Sequence, residues 1–253
     1  MYFRPRDNNI SQGLLRDAMH FANFNGLRAR HRVDELMDQP GLDPKTHSRA
    51  LRGLSRINAL SRSDSILWPP IARLAHLSST SLRVLDLACG GGDVTHAIAR
   101  RSKKIGLDVR VDGCDVSETA VALARMRPGL ASFTCLDVLR DPLPEGYDVV
   151  CCSLFLHHLE GEDAVTMIAK MARATRRLVL VNDLARSRFG YALAWAGCRL
   201  LSRSYVVQHD GPASVAAAFT PSEARELAVQ AGLFGAKVET RWPERFLLSW
   251  SKP

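Results

Sequence analysis

Two adjacent imidazoles stand where an apolar run ends. Tyr147-Asp148-Val149-Val150-Cys151-Cys152-Ser153 reads as a buried strand and passes into Leu154-Phe155-Leu156-His157-His158-Leu159. An imidazole titrates near neutrality and can take a proton from a reacting group. One of the pair can equally cap or pack beneath the helix that follows, and His158 is the better candidate base. Asp183 ends a second run, Arg177 to Asp183, and side chains at the carboxyl edge of a parallel sheet face ligands. His209 sits in Gln208-His209-Asp210-Gly211-Pro212, which reads as a polar turn. The candidate bases are therefore His158, His157, Asp183 and His209, in falling order. No third ligand for a metal is evident beside the histidine pair, and no metal is expected.

A glycine cluster supplies the other chemistry. Leu82 to Leu87 reads as a parallel strand, Gly90-Gly91-Gly92 as a turn, and Asp93 to about Arg101 as a helix. Strand, glycine turn and helix form the nucleoside- or phosphate-cradling unit of an open α/β sheet. A side chain on the turn would hold a ligand away from its backbone. The spacing is Asp86-x-Ala88-x-Gly90-x-Gly92 rather than the G-x-G-x-x-G of a dinucleotide fold. Val109 to Asp115 is a second strand ending in an acid 23 residues beyond Gly92. A carboxylate there can accept from both hydroxyls of a ribose, a device that dinucleotide enzymes share. Ser117 caps the next helix. Ala131 to Asp137 reads as a third strand, again ending in an acid.

The remaining elements position these groups. Residues 1–80 read as a helical N-terminal cap, with Leu14, Leu15, Ala18, Met19, Phe21 and Ala22 at helical spacing, a break at Pro40 to Pro44, and a helix from Asp43 through Leu51, Leu54 and Ile57. Trp68-Pro69-Pro70 reads as a further break before a short helix to about Leu77. Residues 81–253 read as one ligand-binding domain. Glu160 to Ala174 is an amphipathic helix. Leu184 to Thr220 exceeds an ordinary loop and carries Phe189, Tyr191, Leu193, Trp195, Leu200, Leu201 and Tyr205. It reads as a helical lid over an apolar pocket or as ordinary core packing. Thr220-Pro221-Ser222-Glu223 starts a helix with a capping box. Two alternating runs around Pro243-Glu244 make a terminal hairpin.

The acidic-x-Ala-x-Gly-x-Gly spacing, the Leu-His-His segment and the closing hairpin together resemble the class I S-adenosylmethionine-dependent methyltransferases, over residues 82–253. Ala88 stands where that family's motif has its first glycine, a position that faces the turn, so the departure counts as mild. The resemblance implies a Rossmann-like, seven-stranded, mostly parallel sheet with an antiparallel last strand, and S-adenosylmethionine as cofactor. It implies that Asp86, Ala88, Gly90 and Gly92 line the methionine side. Asp115 would hold the ribose, Asp137 would meet the adenine, and Ser153 and Leu154 would border the sulfonium; Cys89, Val116 and Val138 belong to the same cofactor-binding set. The chain is closer to the small-molecule branch, including methyltransferases of quinone biosynthesis. The helical prefix, Asn182-Asp183-Leu184 and the terminal Trp-Pro-x-Arg-Phe stretch also look like methyltransferases found beside bacterial type III polyketide synthases. The implied acceptor is small and apolar or aromatic, with oxygen favoured over carbon.

Composition bounds the alternatives. The chain has 253 residues, a net charge of +8, and 12 Lys+Arg against 7 Asp+Glu in the first 80 residues. That surplus suits nucleic acid, an acidic partner or simply a solvated helical face. Neither the Asn/Asp-Pro-Pro-aromatic motif of base amino methylation nor a Pro-Cys nucleophile is present, which argues against nucleic acid. A non-catalytic binding protein of this fold and a nicotinamide oxidoreductase are the other readings, the latter disfavoured by the glycine spacing and the hairpin. No apolar run is long enough to span a membrane. The polar N-terminus and six cysteines without a C-x-x-C pair fit a cytoplasmic protein with free thiols. A homodimer is left open. If Asp115 holds a ribose, Asp115→Ala weakens S-adenosylhomocysteine binding by roughly 1.5–3 kcal/mol, the loss expected for hydrogen bonds to a charged group. Calorimetric titration measures it, and an unchanged dissociation constant removes Asp115 from the site.

Overall fold

Seven short strands pair into one sheet in the computed structural model, which describes residues 26–33, 35, 36, 43, 63–129 and 131–253. The strands are β1 (Leu82–Leu87), β2 (Val109–Asp115), β3 (Ser132–Cys135), β4 (Tyr147–Ser153), β5 (Thr175–Leu184), β6 (Lys237–Arg241) and β7 (Arg245–Ser251). Their order is β3-β2-β1-β4-β5-β7-β6. The first five run parallel, and β7 lies antiparallel to both β5 and β6. The helices are α1 (Ser63–His76), α2 (Asp93–Lys104), α3 (Glu118–Met126), α4 (Gly161–Ala174), α5 (Arg188–Leu201), α6 (Tyr205–Ala217) and α7 (Pro221–Gln230).

The central strands are buried on both faces, which is why they read as continuous apolar runs. Alternation along β1 divides the core. Leu82 and Val84 join Ile66, Leu67 and Ile71 of α1 and Ile98 of α2. Leu85 and Leu87 join Met167, Ile168 and Met171 of α4 and Ala224 of α7 on the other face. The expected caps form: Ser117 accepts from the Ala120 amide, and Thr220 and Glu223 make a reciprocal capping box. Among the described residues, no helix is long and apolar enough to cross a membrane.

Three expectations need correcting. Trp68-Pro69-Pro70 does not break the chain, because α1 runs through both prolines. Proline removes a helical donor, but Leu67 and Ile71, both fully buried, anchor the helix on either side. The third strand stops at Cys135, so Asp137 lies in a turn beyond it, its carboxylate accepting from the Leu139 and Arg140 amides. Gln208 to Pro212 is not a turn but the middle of α6. Gly211 is there for close packing: a Cβ on it would lie 2.2 Å from the Cys198 sulfur of α5. The helical segments expected over residues 14–22 and 44–57 lie outside the described residues.

The glycine turn also differs in detail. Gly90 and Gly92 have φ of 53° and 74°, and Ala88 has φ of 50°. Ala88 therefore occupies a left-handed conformation that costs a residue with a Cβ roughly 1–2 kcal/mol, so its departure from glycine is a strained one. A Cβ on Gly92 would sit 2.7 Å from the Phe133 ring, so this glycine answers to protein packing. A Cβ on Gly90 would meet nothing within 4 Å, which leaves that backbone open to a ligand. We expect Ala88→Gly to raise the unfolding free energy by about 1 kcal/mol, measured by denaturant titration; no gain would mean that the turn carries no strain at this position.

Candidate active site

The carboxyl ends of β1 and β2 build one half of the site. Asp115 accepts from the Gly90 amide at 2.7 Å through one oxygen and from the Ser117 amide at 2.9 Å through the other. The end of β2 thus fixes the glycine turn and the start of α3 together. Each carboxylate oxygen keeps further acceptor capacity, and with the open Gly90 backbone this fits a nucleoside ligand. Cys89 is half-buried, Val116 is exposed and Val138 is buried.

Asp86 stands elsewhere than expected. It is buried beneath the turn, accepting from the Thr95 hydroxyl of α2 at 2.7 Å, with the Cys151 thiol 3.8 Å away. Burial raises its pKa to about 7, helped by the nearby Asp115 charge and opposed by those two donors. Asp86 supports the turn from below and is not itself a wall of the site.

The second half lies at the ends of β4 and β5. Asn182 Nδ2 donates to the Ser153 hydroxyl at 2.8 Å. Leu154 leaves β4 with φ of 58°, which turns the chain into a short 3-10 turn at Leu156–His158. Asp183 grips that turn twice. One oxygen accepts from the His157 main-chain amide at 3.0 Å, and the other lies 2.6 Å from its ring Nδ1. Both side chains are almost wholly buried. Burial alone would lower the His157 pKa, but Asp183 and then Glu35 outweigh it and raise it to about 10. Burial raises Asp183, and His157 more than reverses that, holding it below its ordinary value.

Glu35 is the residue that the sequence did not reveal. It arrives more than a hundred positions ahead of the histidines, and no local spacing marks it. Its Oε1 lies 3.7 Å from His157 Nε2 and 3.9 Å from His158 Nε2, and it accepts from the Ser214 hydroxyl of α6. Burial raises its pKa, yet the two histidines and Ser214 together bring it down to about 2.

A clasp places this carboxylate. Arg30 donates to the carbonyls of Ala217 at 2.6 Å and His157 at 2.9 Å, and stacks 4.0 Å over the Phe219 ring. Arg32 pairs with Glu160 at 2.7 Å and donates to the His158 carbonyl at 3.1 Å. The Leu36 amide donates to Asp210 of α6 at 2.9 Å.

Of the four candidate bases, His157, His158 and Asp183 are thus brought together. His209 lies on α6 with its Nδ1 3.0 Å from Asp210 Oδ1, outside the Glu35–His157–His158 group. The imidazole of His158 keeps 26% of its side-chain surface exposed against 4% for His157, so His158 is the ring that a ligand can reach. Most large side chains of the 184–220 segment face outward: Phe189, Trp195, Leu200 and Tyr205 are exposed.

The raised pKa of Asp86 carries a stability consequence. Between about pH 4 and 7 an unfolded chain gives up this proton while the folded chain keeps it, so folding weakens as pH rises through that window. The full penalty, up to about 4 kcal/mol, is reached above pH 7. Asp86→Asn is expected to remove that slope. Denaturant titrations of both proteins at pH 4.5 and 7.5 measure it, and parallel stability curves would contradict the assignment.

A methyltransferase-domain family model matches residues 84–177. The chain is 28% identical over 168 residues to a ubiquinone biosynthesis O-methyltransferase of Methylococcus capsulatus, covering 65% of this chain and 68% of that protein. It is 29% identical over 167 residues to a tRNA N(3)-cytidine methyltransferase of Gallus gallus, covering 62% of this chain and 44% of that protein. In fold it is similar to the plantazolicin methyltransferase BpumL solved with S-adenosylhomocysteine, at a TM-score of 0.61 and 19% identity over 83% of this chain and 90% of that one. With the glycine turn, Asp115 and the β3-β2-β1-β4-β5-β7-β6 order, these likenesses support a class I S-adenosylmethionine-dependent methyltransferase.

Proposed function

We propose that this methyltransferase moves a methyl group to a hydroxyl oxygen of a small apolar or aromatic acceptor of the phenol, quinol or polyketide-derived kind. The observation that carries this reading is the Glu35–His157–His158 group with Asp183 behind it, at the ends of β4 and β5. Bound S-adenosylmethionine supplies an electrophilic methyl on a sulfonium, so the protein has to provide position and a way to remove the hydroxyl proton. Asp115 and the glycine turn orient the nucleoside; the Ser153–Leu154 corner leads from that half to the histidines. Asp183 fixes His157, and His157 in turn backs His158, whose ring lies 4.3 Å away centroid to centroid. His158 meets the acceptor hydroxyl. Residues 26–33, 35 and 36 and the α5–α6 pair cover the acceptor. The likeness to a ubiquinone O-methyltransferase supports oxygen as the target.

Methylation of nucleic acid is the second reading, favoured by the charge of +8 and the tRNA methyltransferase relative. Incubating the protein with methyl-labelled cofactor, a panel of phenols and quinols, and total tRNA separates the two. Label on a phenol supports the first reading, and label on tRNA alone overturns it. On a phenol that is turned over, His158→Ala is expected to lower kcat by about 100-fold while leaving S-adenosylhomocysteine affinity unchanged. Equal turnover would make His158 a packing residue.

A further inference from the structure

Glu35, His157 and His158 do more than face an acceptor. One ligand atom from each, Glu35 Oε1, His157 Nε2 and His158 Nε2, lies within 4.8 Å of the other two. The Glu35 separations of 3.7 and 3.9 Å are too long for hydrogen bonds. They are close to the ~3.3 Å between two ligands that each sit about 2.0 Å from a tetrahedral ion. A shift of a few tenths of an ångström would close that difference for Glu35, and the two histidine nitrogens, within 4.8 Å of each other, would move together by up to about 1.5 Å.

The surroundings are those of a metal ligand set. His157 turns Nδ1 to Asp183 at 2.6 Å and Nε2 to the group. A carboxylate on the far nitrogen fixes the ring and its tautomer, as behind metal-bound imidazoles generally. The Ser214 hydroxyl donates to the same Glu35 Oε1 that faces the histidines and orients it; a carboxylate oxygen has a second lone pair for an ion. The ligands are mostly buried, and the partial exposure of His158 leaves one side open. Three protein ligands of the His2Glu kind with an open fourth position are the pattern of a catalytic rather than a structural zinc site.

We propose that Glu35, His157 and His158 bind a divalent transition-metal ion of the zinc type. The inference rests on reading this region as the acceptor site and deepens it: with the ion bound, His158 is its ligand, and the ion takes over from the free imidazole the task of making the hydroxyl lose its proton. The ion's open position takes the acceptor hydroxyl oxygen, lowers its pKa so that its proton leaves to solvent, and presents the resulting oxygen anion to the methyl carbon. That oxygen forms the new C–O bond while the C–S bond breaks, its electron pair returning to sulfur. The preferred acceptors are hydroxyls with a neighbouring oxygen able to share the ion, such as catechols.

The test is titration of chelator-treated, dialysed full-length protein with Zn2+, followed by calorimetry and by elemental analysis after gel filtration. One ion per chain is expected. Glu35→Gln and His158→Asn should each weaken it by at least 100-fold while S-adenosylhomocysteine still binds, which certifies the fold. Asp183→Asn, acting through His157, should weaken it by roughly 10–100-fold. Co2+ in place of Zn2+ should give visible absorption bands that both ligand variants lose. Absence of stoichiometric Zn2+, or equal binding in Glu35→Gln and His158→Asn, overturns the proposal. Methyl transfer to a phenol that survives exhaustive chelation overturns it while leaving the O-methyltransferase reading intact. One ion bound through Glu35 without transfer to any phenol upholds the metal site and overturns the acceptor reading.

Discussion

The grip of Asp183 on His157 is the contact on which the half of the molecule at the ends of β4 and β5 depends. It joins the end of β5 to the turn after β4, and it does so with both carboxylate oxygens, one on the main chain and one on the ring. A buried carboxylate is costly unless its charge is answered. Here it is answered by the imidazole and by Arg245, a buried cation on the neighbouring β7. Once His157 is held this way, its second nitrogen and the adjacent His158 can only face the space that Glu35 enters. The N-terminal clasp, α6 and the two central strands thus meet at a single ring.

The half at the ends of β1 and β2 is built by the same economy, but there the carboxyl groups meet uncharged amide and hydroxyl donors. Asp115 spends its two oxygens on main-chain amides, so the position of the turn follows from the end of β2. Beneath it, Asp86 is tied to Thr95, and Gly92 lets the Phe133 ring close in. The cradle is held from the side by one carboxylate and from below by another. The open backbone at Gly90 is what remains facing outward.

Much of this was legible in the sequence because it is local. The runs Leu82–Leu87, Val109–Asp115 and Tyr147–Ser153 carry their own apolar period, and Ser117 and Thr220 carry their own cap chemistry. Asp115 and the His157–His158 pair could be picked out because strand ends in such sheets are where ligands sit. What failed was whatever tertiary packing decides. Pro69 and Pro70 look like a break until Leu67 and Ile71 are seen buried on either side. Gly211-Pro212 looks like a turn until Cys198 is seen against Gly211. Asp137 looks like a strand end, yet its own following amides claim it. Glu35 carried no signal at all, since nothing about an acid in a basic, strandless segment says that it will meet two histidines.

The way Arg30 holds the clasp has a consequence for how such an enzyme diversifies. Its short hydrogen bonds go to the carbonyls of Ala217, His157 and Leu159, with a longer 3.5 Å contact to the Glu160 side chain, and every residue type offers the same carbonyl. Side chains around the Glu35–His157–His158 group can therefore be exchanged one at a time without unfastening the clasp that Arg30 secures. Attachment is written in the backbone and selectivity in the side chains, so new acceptors are open to this scaffold without a new way of closing over them.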